Sequence, residues 1–244
     1  MVVYIMNRME LKNKTFILTG AARIGQNIAE KLNVQGANLI ITYFKNPEEA
    51  GPFGVGVQAD VSKKEDVMKL VEAAKNKFGQ INGVIHMAAI YERSPWEVLD
   101  ENHWEKNMNV IAKSAYLLGK IAGDEIKKNQ EDIKGKIIFF SDWSVLTRPY
   151  KDYLPYNAAK STIIGLTKSF AKELAPHVLV NAIAPGPILR PPGLTDQENE
   201  EVLAGTLLKR WGGPEEITKG VMYLLESDFI TGSVLTIDGG RTIV

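Results

Sequence analysis

The chain contains no cysteine in 244 residues. A disulfide scaffold, a thiolate nucleophile and a sulfur-ligated zinc site are excluded, and the composition fits a reducing, cytoplasmic setting. Excess charge of either sign is also absent, because 29 basic side chains balance 29 acidic ones. Neither a nucleic-acid partner nor a membrane partner is therefore expected. Histidine is scarce, and the three present show no metal-ligand spacing; no metal is expected. Long hydrophobic runs are missing too. The stretch Lys136-Ile137-Ile138-Phe139-Phe140 is far too short to span a bilayer. The opening MVVYIMNRME has no basic stretch ahead of its apolar residues and no small-residue cleavage site. Residues 1–10 read as a ragged extension rather than a signal peptide, with Met6 or Met9 as alternative starts.

What the sequence does have is a regular alternation of short apolar runs and longer amphipathic stretches. Strands are expected at 15–19, 38–43, 55–60, 83–87, 136–140, 178–183 and 233–237. Helices are expected at about 25–35, 63–78, 156–174 and 215–226, with one or two more between Trp96 and Lys128. Strands apolar on both faces and separated by helices predict a parallel sheet covered on both sides. The expected fold is α/β: a single doubly wound Rossmann domain over residues 11–244, with a seven-stranded parallel sheet. In such sheets ligands bind beyond the carboxyl ends of the strands, so the chemistry is sought there.

After the first strand, Thr19-Gly20-Ala21-Ala22-Arg23-Ile24-Gly25 opens a helix. Small residues here let backbone amides approach a pyrophosphate, although a plain glycine-containing turn would look the same. An NAD-selective enzyme usually places Asp or Glu after the second strand to hold the ribose 2′-hydroxyl. The residues here are Thr42-Tyr43-Phe44-Lys45. Lys45 and Arg23 are suited to a 2′-phosphate instead, or are two solvated surface cations. Tyr156 and Lys160 lie four residues apart at the start of the long helix and share a face. The ammonium beside the phenol is expected to lower its pKa, fitting it for acid–base work near neutral pH.

Taken together the motifs resemble the short-chain dehydrogenase/reductase family from about Leu11 onward. The matches run in order: the Thr19-Gly20 turn; Asp60-Val61 after the third strand; Asn109 within Asn107-Met108-Asn109-Val110; Ser141-Asp142 after the fifth; Tyr156 and Lys160; Asn181 to Ile188, which includes Pro185-Gly186; and Ile237-Asp238-Gly239-Gly240. The resemblance implies that Tyr156 is the proton donor, that Lys160 supports it and binds the nicotinamide ribose, and that Asn109 holds a proton-relaying water. It also implies cofactor contacts from Gly20, Arg23, Ile24, Gly25, Tyr43, Lys45, Asp60, Val61, Ala88, Ala89, Pro185, Gly186 and Ile188.

The chain departs from the family pattern at three places. The glycine turn is one residue short, which aligns Arg23-Ile24-Gly25 with the R-x-G of pteridine-reductase-like members. The usual N-A-G after strand four is Met87-Ala88-Ala89. The usual serine, thirteen residues before the tyrosine, is Trp143. Either Asp142 or Ser141 must fill that place; pteridine-reductase-like members carry Asp there, which favours Asp142. A mobile substrate lid is expected at about 188–210, and Trp143, Tyr150 and Tyr153 are candidates for a flat substrate pocket. The implied function is an oxidoreductase that favours NADP(H), with NAD(H) as the other cofactor, acting on a carbonyl or pterin-like small molecule. A 3-oxoacyl carrier-protein reductase, a general alcohol dehydrogenase and a non-catalytic dinucleotide-binding relative are the alternatives. The broad apolar surface of the helix 156–174 predicts a homo-oligomer, a tetramer by the family resemblance, the alternative being that residues 100–128 of the same chain cover it.

Overall fold

The computed structural model describes residues 10–244; apart from Glu10, the expected N-terminal extension lies outside them. Seven strands form one sheet: β1 Thr15–Thr19, β2 Asn38–Tyr43, β3 Val55–Gln58, β4 Gly83–His86, β5 Gly135–Phe140, β6 Val178–Pro185 and β7 Val234–Ile237. Their order is β3-β2-β1-β4-β5-β6-β7, and every neighbouring pair is parallel. The order reverses at β1, whose neighbours are β2 and β4, so the crevice at their carboxyl ends is the switch point of the sheet. The helices are α1 Gln26–Val34, α2 Lys64–Phe78, α3 Glu101–Asn107, α4 Ser114–Ile126, α5 Leu154–Leu174, α6 Asp196–Ala204 and α7 Pro214–Glu226. Among the described residues no helix is long and apolar enough to cross a membrane.

Alternate strand residues face opposite sides, and both sides are dry. Ile17, Val84, Ile137 and Phe139 pack with α2, α4 and α5 on one side. Phe16, Leu18, Ile85 and Ile138 pack with α1 and α7 on the other. Truncating any of these fully buried side chains to Ala costs about 2–5 kcal/mol. The edges differ: β3 is largely exposed and β7 half-buried. A lysine also enters the core. Lys136 on β5 donates to the carbonyls of Leu225 and Ser227 at 2.7 and 2.8 Å and pairs with Asp228 at 2.6 Å. It thus closes the carboxyl end of α7, where helical carbonyls lack partners.

Several boundaries differ from expectation for local reasons. β3 stops at Gln58 because the Asp60 N–H turns away to Asp66 Oδ2, at 3.0 Å. α5 starts two residues early, with Pro155 in its first turn, a position that needs no N–H. The segment 101–126 is one helical run interrupted by a π-turn at Met108–Lys113. The helix α6 lies within the expected lid, where Thr195 and Glu198 form a capping box that starts it.

One polar chain crosses the core beneath the switch point. His86, at the end of β4, is 3% exposed. Its Nδ1 lies 2.7 Å from Thr19 Oγ1 and its Nε2 2.8 Å from Ser114 Oγ. Ser114 gives its proton to the Val110 carbonyl at 2.6 Å, so Nε2–H must be the donor and Thr19 donates to Nδ1. Thr19 Oγ1 accepts in turn from the Met87 and Ala88 N–H groups, at 3.3 and 3.2 Å. The imidazole is neutral: burial depresses its pKa to about 3.

This has a pH consequence. The unfolded chain takes up the proton below its ordinary value of about 6.5, whereas the folded chain does not until about pH 3. Stability therefore falls with falling pH across that window, by about 1.4 kcal/mol per unit from this group. Urea unfolding at pH 6.0 and 4.5 should show a slope shallower by about one proton in His86→Gln than in the parent. Equal slopes would mean that His86 is protonated in the folded core.

Candidate active site

The carboxyl rim of the sheet gathers residues far apart in sequence. At its first corner the chain leaves β1 through Gly20, which has φ 71°. A Cβ there would stand 2.6 Å from the Ala88 N, so only glycine lets the first turn meet the end of β4. Ala21–Gly25 then forms a π-turn that runs directly into α1. The glycine turn is thus itself helical, and the first N–H groups of a helical segment have no partners within it. Ile24 is half-buried and Gly25 buried.

Arg23 is exposed and has no side-chain partner among the described residues, while Lys45 is exposed beside the Phe44 ring at 5.6 Å. Arg23 lies in the turn after β1 and Lys45 two residues past half-buried Tyr43, the last residue of the adjacent strand β2. The Asp60 carboxylate folds back on Ser62, accepting from its Oγ at 2.6 Å and its N–H at 3.1 Å; Val61 is buried. Ala88 is half-buried and Ala89 exposed. On the far side Gly186 passes so close to β7 that a Cβ would stand 2.5 Å from Asp238 Cα. Pro185 is half-buried and Ile188 buried.

The reacting-group candidates converge on the start of α5. Tyr156 is 5% exposed and donates its hydroxyl to Asp142 Oδ2 at 2.6 Å. The other oxygen of Asp142 accepts from the Ser144 N–H at 2.8 Å, fixing the carboxylate at the head of a short 3-10 turn. Ser141 points elsewhere: its hydroxyl donates to the Lys160 carbonyl at 2.9 Å, tying β5 to α5. Of the two residues left open by the sequence, Asp142 is the one that meets the phenol. Lys160 is buried, with Nζ donating to the Phe140 carbonyl at 2.8 Å and lying 5.8 Å from the Tyr156 ring centre. Asn109 is half-buried within the π-turn, where its carbonyl accepts from the Ser114 N–H. That π-turn is the same one held by His86 through Ser114, and such bulges recur at functional sites.

The electrostatics correct one expectation. The phenol of Tyr156 is not lowered but raised well above its ordinary value, chiefly by burial and next by the Asp142 carboxylate. Lys160 is spent on the Phe140 carbonyl and does not offset these effects. Burial also brings the Lys160 ammonium down to about 8, with Asp142 acting in the opposite direction. Tyr156 is thus a protonated hydroxyl hydrogen-bonded to a carboxylate.

Aromatic side chains wall the site. Trp143 is buried and donates Nε1 to the Tyr150 hydroxyl at 2.7 Å. Tyr91, which no sequence pattern singled out, stacks on Tyr153 at 4.5 Å and meets the Tyr156 ring edge-on at 5.0 Å. Its loop is held by Arg93, which pairs with Asp152 at 2.7 Å, and by the Ser94 N–H, which donates to the Asp152 carbonyl at 2.7 Å.

A switch-point crevice with a glycine turn on one side and a Tyr–Lys helix face on the other defines a dinucleotide-dependent oxidoreductase. The comparisons agree and narrow it. A family model described as enoyl-(acyl carrier protein) reductase matches residues 20–242. A 2-dehydro-3-deoxy-D-gluconate 5-dehydrogenase of Bacillus subtilis is 32% identical, over 97% of this chain and 98% of its own. A dihydromonapterin reductase of Enterobacter sp. is 31% identical, over 93% and 95%. The solved structure of a short-chain dehydrogenase/reductase of Brucella melitensis, titled as a glucose/ribitol dehydrogenase, superimposes with a TM-score of 0.85 at 27% identity, covering 97% of this chain and all of that one. The chain belongs to the short-chain dehydrogenase/reductase family and is an oxidoreductase of that family, which uses NAD(P) cofactors.

Proposed function

We propose that this protein is an NADP(H)-dependent reductase of a carbonyl or pterin-like C=N or C=O substrate, acting in the cytoplasm. The observation that carries the reading is the 2.6 Å hydrogen bond from the Tyr156 hydroxyl to Asp142. The residues of the rim fit a dinucleotide. Gly20, Ala88, Ala89 and Gly186 keep the crevice floor free of side chains beyond a methyl group, and the unpartnered N–H groups of the π-turn suit a pyrophosphate. Ile24, Gly25, Tyr43, Asp60, Val61, Pro185 and Ile188 complete its walls. Arg23 and Lys45 favour a 2′-phosphate, and no acid stands directly after β2 to prefer a bare ribose.

When bound, the reduced nicotinamide supplies the hydride. Tyr156 then donates its proton to the developing oxyanion or nitrogen, once its hydroxyl has turned from Asp142. Asp142 orients the hydroxyl, or faces the substrate as hydrogen-bond partner once the hydroxyl has turned. Lys160 binds the nicotinamide ribose, and Asn109 holds a water for reprotonation. A hydroxyl such as Ser141 would serve a plain ketone or 3-oxoacyl thioester better, but that hydroxyl is engaged with the α5 backbone; this favours the pterin-like class over the 3-oxoacyl and alcohol alternatives. The dihydromonapterin reductase relatives support the same choice. Residues 11–244 act as one dinucleotide-binding domain, with 188–210 as the lid over the substrate.

Assembly as a homotetramer of the dihedral type completes the proposal. Part of the broad apolar face of α5 is covered from within, since α3 and α4 pack on it. Tyr116, half-exposed, lies against Phe170 at 6.3 Å, with Trp104 and Leu154 also open. A second copy would cover them.

Three outcomes test these statements. Tyr156→Phe should retain NADPH binding while turnover of dihydrobiopterin, acetoacetyl-CoA or a small ketone falls at least about 100-fold; an unchanged kcat removes the assigned role. Fluorescence titration should show NADPH binding more tightly than NADH, with Arg23→Ala and Lys45→Ala each weakening NADPH by about 1.5–3 kcal/mol and NADH much less. Equal affinities in the parent would refute the cofactor choice. Light scattering at micromolar concentration should give about four times the chain mass of 27.0 kDa; the mass of one chain would show that α3 and α4 suffice to cover α5.

A further inference from the structure

The residue after the Asp238-Gly239-Gly240 turn occupies a position that no part of the mechanism above uses. The turn itself is wound by Asp238, whose carboxylate accepts from the Gly240 and Thr242 N–H groups at 2.9 and 2.7 Å. It is pressed against the stretch just beyond α6. A Cβ on Gly239 would stand 2.8 Å from Thr206 Cγ2, one on Gly240 would stand 2.7 Å from Leu207 Cδ1, and the Leu208 N–H donates to the Gly239 carbonyl at 3.1 Å.

Arg241 leaves this turn and makes contacts in two directions. On one side Nη1 donates to the Val202 carbonyl and, at 3.2 Å, to Thr206 Oγ1. Val202 belongs to the last turn of α6, where a cation is favoured, and its carbonyl also accepts from the Thr206 hydroxyl at 2.8 Å. On the other side the guanidinium carbon lies 4.8 Å from the centre of the Trp143 ring. Trp143 immediately follows Asp142 and is itself fixed through Tyr150. The packing is tight, since a Cβ at Gly205 would stand 3.0 Å from Arg241 Nη1. The surroundings are dry enough that desolvation lowers the pKa of Arg241.

We propose that Arg241 is a positioning residue that latches the carboxyl end of α6 to the Trp143 wall, so that the lid and the segment carrying Asp142 are held as one unit. The proposal rests on the reading of 188–210 as the substrate lid. A guanidinium suits the task because its planar face stacks on an indole while its edge donates to two acceptors; a lysine ammonium, a single point charge, cannot do both as well. Arg241 has no contact with Tyr156 or Lys160, so loosening it disturbs how substrate is held rather than how the proton is given.

Amide hydrogen exchange and steady-state kinetics on Arg241→Met, Arg241→Lys, Trp143→Leu and the Met/Leu double variant test the latch. In Arg241→Met, peptides over 197–208 should exchange at least about 10-fold faster than in the parent, while peptides over β5 stay unchanged and show that the fold is intact. With NADPH and dihydrobiopterin, KM should rise at least about 5-fold and kcat change less than about 2-fold, and Arg241→Lys should fall between parent and Met. The double variant should be no worse than the worse single one, because each breaks the same contact. Unchanged exchange over 197–208, or effects on exchange that add in the double variant, would overturn the latch. A parent with no turnover of any carbonyl or pterin probe would count against the reductase reading alone, and the exchange experiment would still decide on Arg241.

Discussion

The burial of the central strands on both faces is the constraint from which the rest of this structure follows. Ile17, Val84, Ile137 and Val180 face one dry layer, and Phe16, Leu18, Ile85 and Ile138 the other. No face of β1, β4, β5 or β6 is left for water. Irregular backbone and polar chemistry are therefore confined to the ends of the strands, and because the strands are parallel all their carboxyl ends lie along one rim. Residues as distant as Gly20, Ala88, Asp142 and Gly186 become neighbours there without any local signal joining them. Reversal of the strand order at β1 then opens the crevice at one particular corner.

Within that rim the polar groups are tied to one another rather than left to solvent. The Thr19–His86–Ser114 chain couples the ends of β1 and β4 to the π-turn containing Asn109. A buried imidazole makes a stiff link because both ring nitrogens are engaged by hydroxyl groups and the ring remains neutral. The Gly20 corner and the turn containing Asn109 are thus connected through the core.

The pairing of Tyr156 with Asp142 gives the site its chemical character. A phenol next to a cation alone would tend toward phenolate. Here the nearest charged neighbour is a carboxylate, and the ammonium of Lys160 is turned to a backbone carbonyl. Burial and like charge act in the same direction, so the proton stays on the phenol.

Much of this was legible in the residues alone. The alternation of apolar runs with amphipathic stretches determined the strands, the helices and the parallel arrangement, since period and burial follow from local pattern. The Tyr156–Lys160 spacing determined that both lie on one face of α5, as the helical repeat requires. Tertiary structure alone decided which of Ser141 and Asp142 meets the phenol, because both side chains reach α5 and only their placement beyond β5 assigns Ser141 to the Lys160 carbonyl and Asp142 to the Tyr156 hydroxyl. It also decided the sign of the Tyr156 shift, which depends on burial and on where the Lys160 ammonium points. Tyr91 and Arg241 acquired their places in the same way. Tyr91 sits in a loop and Arg241 in a single 3-10 turn, neither long enough to show a periodicity, and contacts such as that of Arg241 with Trp143 join residues nearly a hundred positions apart.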